Sequence, residues 1–321
     1  MKKALLIILA LAAVIAASAQ RKQTPEKSGG VVKTTHLFAV KGGQELYLDR
    51  YTSATTDGGL RPCVVFVFGG GFSTGTRDAA KYAAYYDFMV REGYDVVATD
   101  YRLGMKGVTD PSIFSAISDF KNTVDMAVED LYDATKYILD RAAEWHIDTS
   151  KIIASGSSAG AITVLQAENG ICNGTDAAKV LPAGFNYAGV ISFAGAIFST
   201  NGAPEWKSAP CPVMFFHGTS DKNVPYKKAS LLGIGFYGSE VIAEQLRELR
   251  SPYYFYSVEY EDHSLAETPM TDNLPLTASF IREYAIGGKR VITVENIEDL
   301  ERPARPTKFS VFEYLGSNYG E

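Results

Sequence analysis

The chain has 321 residues, 46% of them hydrophobic, which is enough length and apolar content for one large domain with a sizeable core. Its formal net charge of −6 at pH 7 comes with no basic cluster, which argues against nucleic acid or an anionic membrane surface as a partner. The first element is an N-terminal segment with Lys2 and Lys3, an apolar run over 4–17 and the A-x-A signal Ala17-Ser18-Ala19. This pattern predicts a secretory signal peptide over 1–19 and a secreted or periplasmic location. The apolar run is too short for a comfortable span and no second run approaches the required length, so no stable membrane insertion is expected. No cysteine follows that run until Cys63, so the cysteine of a lipid-anchored precursor is missing. Loss of Lys2 and Lys3 leaves residues 20–321 more acidic still.

The residues beyond 19 alternate strand and helix patterns. Residues 33–40 and 45–51, joined by Lys41-Gly42-Gly43-Gln44, read as an antiparallel N-terminal edge hairpin. Apolar runs rich in β-branched and aromatic residues follow at 64–68, 94–99, 151–155, 189–193, 213–217 and 253–260. Most are continuous, which suits strands covered on both faces. Helical stretches lie between or after them at 79–92, 115–145, 161–168, 239–250 and 276–284. That order predicts an α/β fold with a mostly parallel central sheet and helices on both faces. The main domain is read as 20–288, with a tail over 289–321 that packs on it and contains a short strand at 290–294.

Chemistry concentrates at the carboxyl ends of four strands, where open α/β sheets gather reactive groups. The most informative is Gly156-Ser157-Ser158-Ala159-Gly160, between a strand and a helix. A serine on such a strained turn needs small residues two positions either side, and only Ser158 has glycine at both. The following helix aims its N–H groups and positive dipole end at the turn, which suits an anionic intermediate. The strand at 64–68 runs into Gly69-Gly70-Gly71-Phe72, a loop whose bare backbone can bring N–H groups to a substrate oxygen. It carries neither the G-K-[ST] of a phosphate loop nor a G-x-G-x-x-G dinucleotide pattern. Asp221 follows the strand at 213–217, and His263 follows the strand at 253–260. Nucleophilic catalysis needs this set, with Ser158 as nucleophile, His263 as base and then acid, and Asp221 holding the imidazole.

Glu261 is a backup acid, while Asp262 adjoins His263 and is expected to point elsewhere. His36 and His146 sit at segment edges, and His217 closes a strand where a hydrogen-bonded structural histidine is the commoner state. Cys63, Cys172 and Cys211 allow at most one disulfide, and free core thiols are expected. Without C-x-x-C or H-E-x-x-H spacing, no metal is expected, and no cofactor is implied.

These residues together resemble the α/β-hydrolase superfamily over about residues 60–284. The triple glycine before Phe72, with Asp100-Tyr101-Arg102-Leu103, is similar to its secreted carboxylesterase and lipase branch. The resemblance implies oxyanion-hole N–H groups from Gly70, Gly71 and Ala159, a pocket lined by Tyr101, and a structural Arg102. Two departures stand out. Phe68 occupies the position of the histidine in the H-G-G-G motif, and residues 194–209 are short where capped relatives carry an insertion, so a comparatively open site is expected. Tyr101, Trp206 and Tyr226 are the substrate-binding candidates, as flat faces with polar tips. The expected function is a serine carboxylesterase acting on short-chain acyl esters of small molecules or carbohydrates. The rivals are a serine peptidase of prolyl-oligopeptidase type and a non-catalytic binding module of the same fold.

Overall fold

Continuous apolar runs cannot expose either face, and in the computed structural model of the chain they form the middle of a ten-stranded sheet. The structure describes residues 26–28, 30–55, 58–108, 113–310 and 313–314, so the expected signal peptide lies outside it. The strands of this sheet are β1 (Glu26–Ser28), β2 (Val31–Lys41), β3 (Gln44–Ser53), β4 (Arg61–Val67), β5 (Asp95–Thr99), β6 (Ile147–Ser157) and β7 (Gly189–Phe193). After β8 (Ala196–Ser199), which pairs elsewhere, come β9 (Val213–Gly218), β12 (Tyr253–Val258) and β13 (Ile292–Ile297). The order is β1-β2-β3-β5-β4-β6-β7-β9-β12-β13. From β5 to β13 each neighbouring pair is parallel, and β1 to β3 join antiparallel at one edge. The expected hairpin is β2 and β3. The tail's strand extends the sheet beside β12.

Five longer helices cover the sheet: α1 (Ala83–Arg91), α2 (Ile113–Asp140), α3 (Ala159–Asn173), α4 (Ser239–Glu248) and α5 (Leu274–Phe280). α1 packs on β3, β5 and α5, whereas α3 packs on β6, β7 and α2, giving a helical layer on each face. The core between the layers is unusually aromatic at the site end, where Phe66, Tyr82, Tyr85 and Tyr86 meet ring to ring. Among the described residues no helix is long and apolar enough to cross a membrane.

A second, three-stranded sheet, β10 (Lys228–Leu231), β11 (Ile234–Gly238) and β8, is absent from the sequence reading. Its hairpin turns on Leu232 and Gly233, both at positive φ. A leucine there lacks the Asn-Gly or Asp-Gly signal that marks such turns. β8 lies within 194–209, the stretch expected only as a short open connection, and its Phe198 pairs with Phe236 of β11.

At the opposite end of the sheet from the site, Asp95 is fully buried between Arg50 and Arg61. Thr52 also donates to it, and both guanidiniums bond the Trp145 carbonyl. Removing one partner of a buried pair leaves the other charge desolvated. Asp95→Ala is therefore expected to lower the unfolding free energy by about 3–5 kcal/mol, read as a fall in the urea midpoint with an unchanged m-value. A loss below 1 kcal/mol would show that the arginines reach water on their own.

Candidate active site

The turn after β6 is strained in the way its glycines require. Ser158 has φ 52° and ψ −116°, a conformation that side-chain-bearing residues rarely adopt. A Cβ on Gly156 would lie 2.2 Å from the Gly160 carbonyl oxygen, and one on Gly160 would lie 2.0 Å from that of Val67. Both glycines are thus forced by backbone approach, and Ser158 projects from the turn between them. Ser157, next to it, is buried, with its hydroxyl donating to the Ala266 carbonyl at 2.8 Å.

β9 and β12 are neighbours in the sheet, so the loops beyond their carboxyl ends meet. Gly218 permits the closest approach, since a Cβ there would lie 2.3 Å from the Glu261 carbonyl oxygen. The Ser220 N–H donates to that same carbonyl at 2.9 Å. This junction brings Asp221 to His263. His263 Nδ1 lies 2.6 Å from Asp221 Oδ2, and His263 Nε2 lies 2.8 Å from Ser158 Oγ. An ionised carboxylate only accepts, so Nδ1 carries the proton and Nε2 accepts from the serine hydroxyl. A hydroxyl held this way can lose its proton to the imidazole as it attacks an electrophile.

Asp221 is fully buried and its other oxygen takes the N–H groups of Asn223 at 2.8 Å and Val224 at 2.9 Å. Burial alone would raise its pKa. The charge of His263 and the hydrogen bonds of His217 and His263 outweigh burial and hold the carboxyl well below the usual carboxylate range. His217 is itself buried. Its Nε2–H donates to the Val224 carbonyl at 3.1 Å and lies 3.3 Å from Asp221 Oδ2, while Nδ1 meets Ser239. It braces the aspartate and takes no part in the serine contact.

The rivals are occupied elsewhere. Glu261 pairs with Arg302. Asp262 accepts the Ser264 N–H at 3.0 Å and pairs with Arg305 at 2.9 Å. His36 packs on Trp145, and His146 ends a helical turn. The three cysteines are free and buried, and desolvation pushes the Cys172 thiol up to about 12. Such thiols are poor nucleophiles.

Gly70 and Gly71 line the cleft beside Ser158, at φ 137° and 59°. A side chain at Gly70 would strike the Thr74 carbonyl oxygen, 2.1 Å from its Cβ. The loop is fastened from behind, with the Gly69 N–H donating to the Tyr82 hydroxyl at 3.0 Å and the Tyr101 hydroxyl donating to the Phe68 carbonyl at 3.1 Å. Phe68, in place of a histidine, packs against Tyr101 with centroids 4.5 Å apart and the rings tilted by 31°. Ala159 opens α3 next to Ser158 and borders the same small space as Gly71.

The three aromatic substrate-binding candidates are not brought to the cleft. Tyr101 lies beneath the glycine loop, 2% exposed, because its ring completes the aromatic packing there. Trp206 follows Glu205, whose carbonyl is bonded by Asn169, about 16 Å further along the helix than Ser158. Its indole N–H donates to Gln245. Tyr226 is turned inward, with its hydroxyl on Ser257 and its ring against His217 and Phe255. Arg102 is structural, held by the buried Asp130 and by Glu129.

Sequence reasoning missed the apolar walls beside Ser158, among them Phe236 from the small sheet and Tyr314 from the tail. Phe236 stands in an alternating apolar stretch that could have been read as a strand. Tyr314 carries no local signal.

The BD-FAE family model matches residues 48–177, which include the glycine loop and Ser158. Over 147 residues the chain is 30% identical to phenmedipham hydrolase of Pseudarthrobacter oxydans, a match that takes in 44% of this chain and spans 27% of the length of that relative. Among solved structures it is similar to the apo form of Thermogutta terrifontis esterase 2. The TM-score is 0.57 at 20% identity, covering 80% of this chain and 96% of that one. The same esterase phosphorylated by paraoxon matches with a TM-score of 0.57 at 21% identity, over 82% and 97%. Its butyrate-bound form matches with 0.58 at 21%, over 79% and 94%.

Proposed function

We propose that this chain, whose fold is that of the α/β-hydrolases, is an exported serine carboxylesterase that releases short acyl groups from polar alcohols, carbohydrate among them. The observation that carries this reading is the unbroken line of hydrogen bonds from Ser158 through His263 to Asp221, on a strained turn beside Gly70 and Gly71. A hydrolase among the partial relatives supports the reaction type.

In this mechanism Ser158 Oγ attacks the ester carbonyl carbon while its proton passes to His263 Nε2. The backbone N–H groups of Gly70, Gly71 and Ala159 face the oxyanion that forms. The carbon–alkoxy bond then breaks and the imidazolium returns the proton to the departing oxygen. Water, deprotonated by the same Nε2, cleaves the acyl-enzyme and restores Ser158. The cleft on the His263 side has a volume of about 300 Å³ and is edged by Ser73, Lys81, Asn223 and Glu267. Those polar groups suit a hydroxylated alcohol portion.

The purified protein is expected to hydrolyse p-nitrophenyl acetate and acetylated sugars, with kcat/KM falling from acetate to palmitate. Preference for palmitate would favour a lipase, and preference for peptides a peptidase. The pH profile gives a second reading. A depressed aspartate contributes its stability in full above about pH 4 and loses it only as pH falls through its folded value, so Asp221 stays ionised above about pH 4. The acid limb of log kcat/KM between about pH 4 and 8 is therefore expected to have slope one. A slope of two would show that a second essential group protonates there.

A further inference from the structure

Ser158 borders two spaces of different character. The polar cleft described above includes His263, and since His263 must hand its proton to the departing oxygen, the alcohol portion occupies that side. The other space touches Ser158 and Ala159 but not His263, and is walled by Phe72, Phe120, Ile162, Val224, Phe236 and Tyr314. An ester centred on Ser158 with its alcohol toward His263 directs its acyl group into this apolar side. Its volume is about 20 Å³, little more than a single water requires.

Five of these walls belong to the body of the domain. The sixth is carried by the C-terminal segment. Tyr314 is 4% exposed, its ring packs edge-on against Phe309, and its hydroxyl donates to the Asp221 backbone carbonyl at 3.0 Å. The segment is led there by Arg302 and Arg305, which pair with Glu261 and Asp262 immediately before His263. The stopper is thus carried by the C-terminal segment and laid over a pocket whose other walls come from the rest of the fold.

We propose that Tyr314 is the specificity-determining residue that limits the acyl group to acetyl size, a role that rests on the reading of Ser158 as the nucleophile. With the ring in place, the side pocket accepts a methyl group and excludes the methylenes of longer acyl chains. With the ring removed, each further methylene gains burial against Phe72, Phe120 and Phe236.

The test is a chain-length profile of kcat/KM on p-nitrophenyl acetate, butyrate and hexanoate for the full chain and for Tyr314→Phe, Tyr314→Leu and Tyr314→Ala. The butyrate-to-acetate ratio is expected to rise about tenfold in Tyr314→Ala, mainly through a lower KM for butyrate, and by an intermediate factor in Tyr314→Leu. Tyr314→Phe, which keeps the ring and loses the bond to Asp221, is expected to keep the wild-type ratio. Thermal melts of each variant show which profiles come from folded protein, and Tyr314→Leu stands in should the alanine variant fail to fold. An unchanged ratio in folded Tyr314→Ala or Tyr314→Leu, with acetate still turned over, overturns the proposal alone. So does a loss of acetate turnover in all three variants, which would make Tyr314 a support for Asp221. Wild-type protein that hydrolyses no ester overturns the esterase reading and this inference with it.

Discussion

Replacing Ser158 with alanine is expected to lower kcat for acetate esters by about 10⁶, because covalent attack and proton transfer to His263 are lost together. A small residual rate above water is expected from the backbone donors of the glycine loop, which the substitution leaves in place. The adjacent Ser157→Ala is the control. Its hydroxyl is buried and committed to the Ala266 carbonyl, so its loss is expected to cost about 1 kcal/mol of stability and less than tenfold in kcat. Steady-state kinetics on both variants, with thermal melts to confirm folding, separate the two serines. Equal losses would mean that the turn, not the Ser158 hydroxyl, is what the reaction needs.

Asp221→Asn is expected to lower kcat by about 10⁴ with the fold retained. The two N–H donors of Asn223 and Val224 fix which way the amide faces, with its oxygen taking those bonds and its NH₂ group turned to His263 and His217. His263 Nδ1 must then accept, which moves the imidazole proton to Nε2, where it meets the Ser158 hydroxyl and can no longer take its proton. The NH₂ group also confronts the Nε2–H of His217, so a stability loss of about 1–3 kcal/mol accompanies the rate effect. A kcat within tenfold of wild type would remove Asp221 from the mechanism and return attention to Glu261.

Much of this site is legible in the chain because each part is local. The glycines around Ser158 announce a turn that tolerates no Cβ, the run Gly69-Gly70-Gly71 announces a bare loop, and Asp221 and His263 each follow a run too apolar to be anything but a buried strand. Parallel pairing then places the ends of those strands side by side, which is why residues 42 positions apart meet. What is not legible depends on distant packing. Tyr101, expected to line the pocket, lies under the glycine loop, because Phe68 provides a ring for it to pack against. Trp206 and Tyr226 have the amphipathic character of binding residues, yet Gln245 and Ser257 satisfy their polar tips inside the domain. The small sheet hides behind a Leu232-Gly233 turn, and only the pairing of Phe198 with Phe236 shows that the short connection over 194–209 holds a strand that backs the wall at Phe236. The tail is the extreme case, since nothing near Tyr314 in the chain marks it as a neighbour of Asp221.

In the proposed mechanism Ser158 is a nucleophile activated by His263. Reaction with a fluorophosphonate, followed by intact-mass measurement and peptide mapping, tests it most directly. One adduct per chain is expected, located on Ser158, absent in Ser158→Ala and formed far more slowly in His263→Ala. Ester hydrolysis by a protein that takes no adduct, or takes it on another residue while Ser158→Ala remains active, would contradict it.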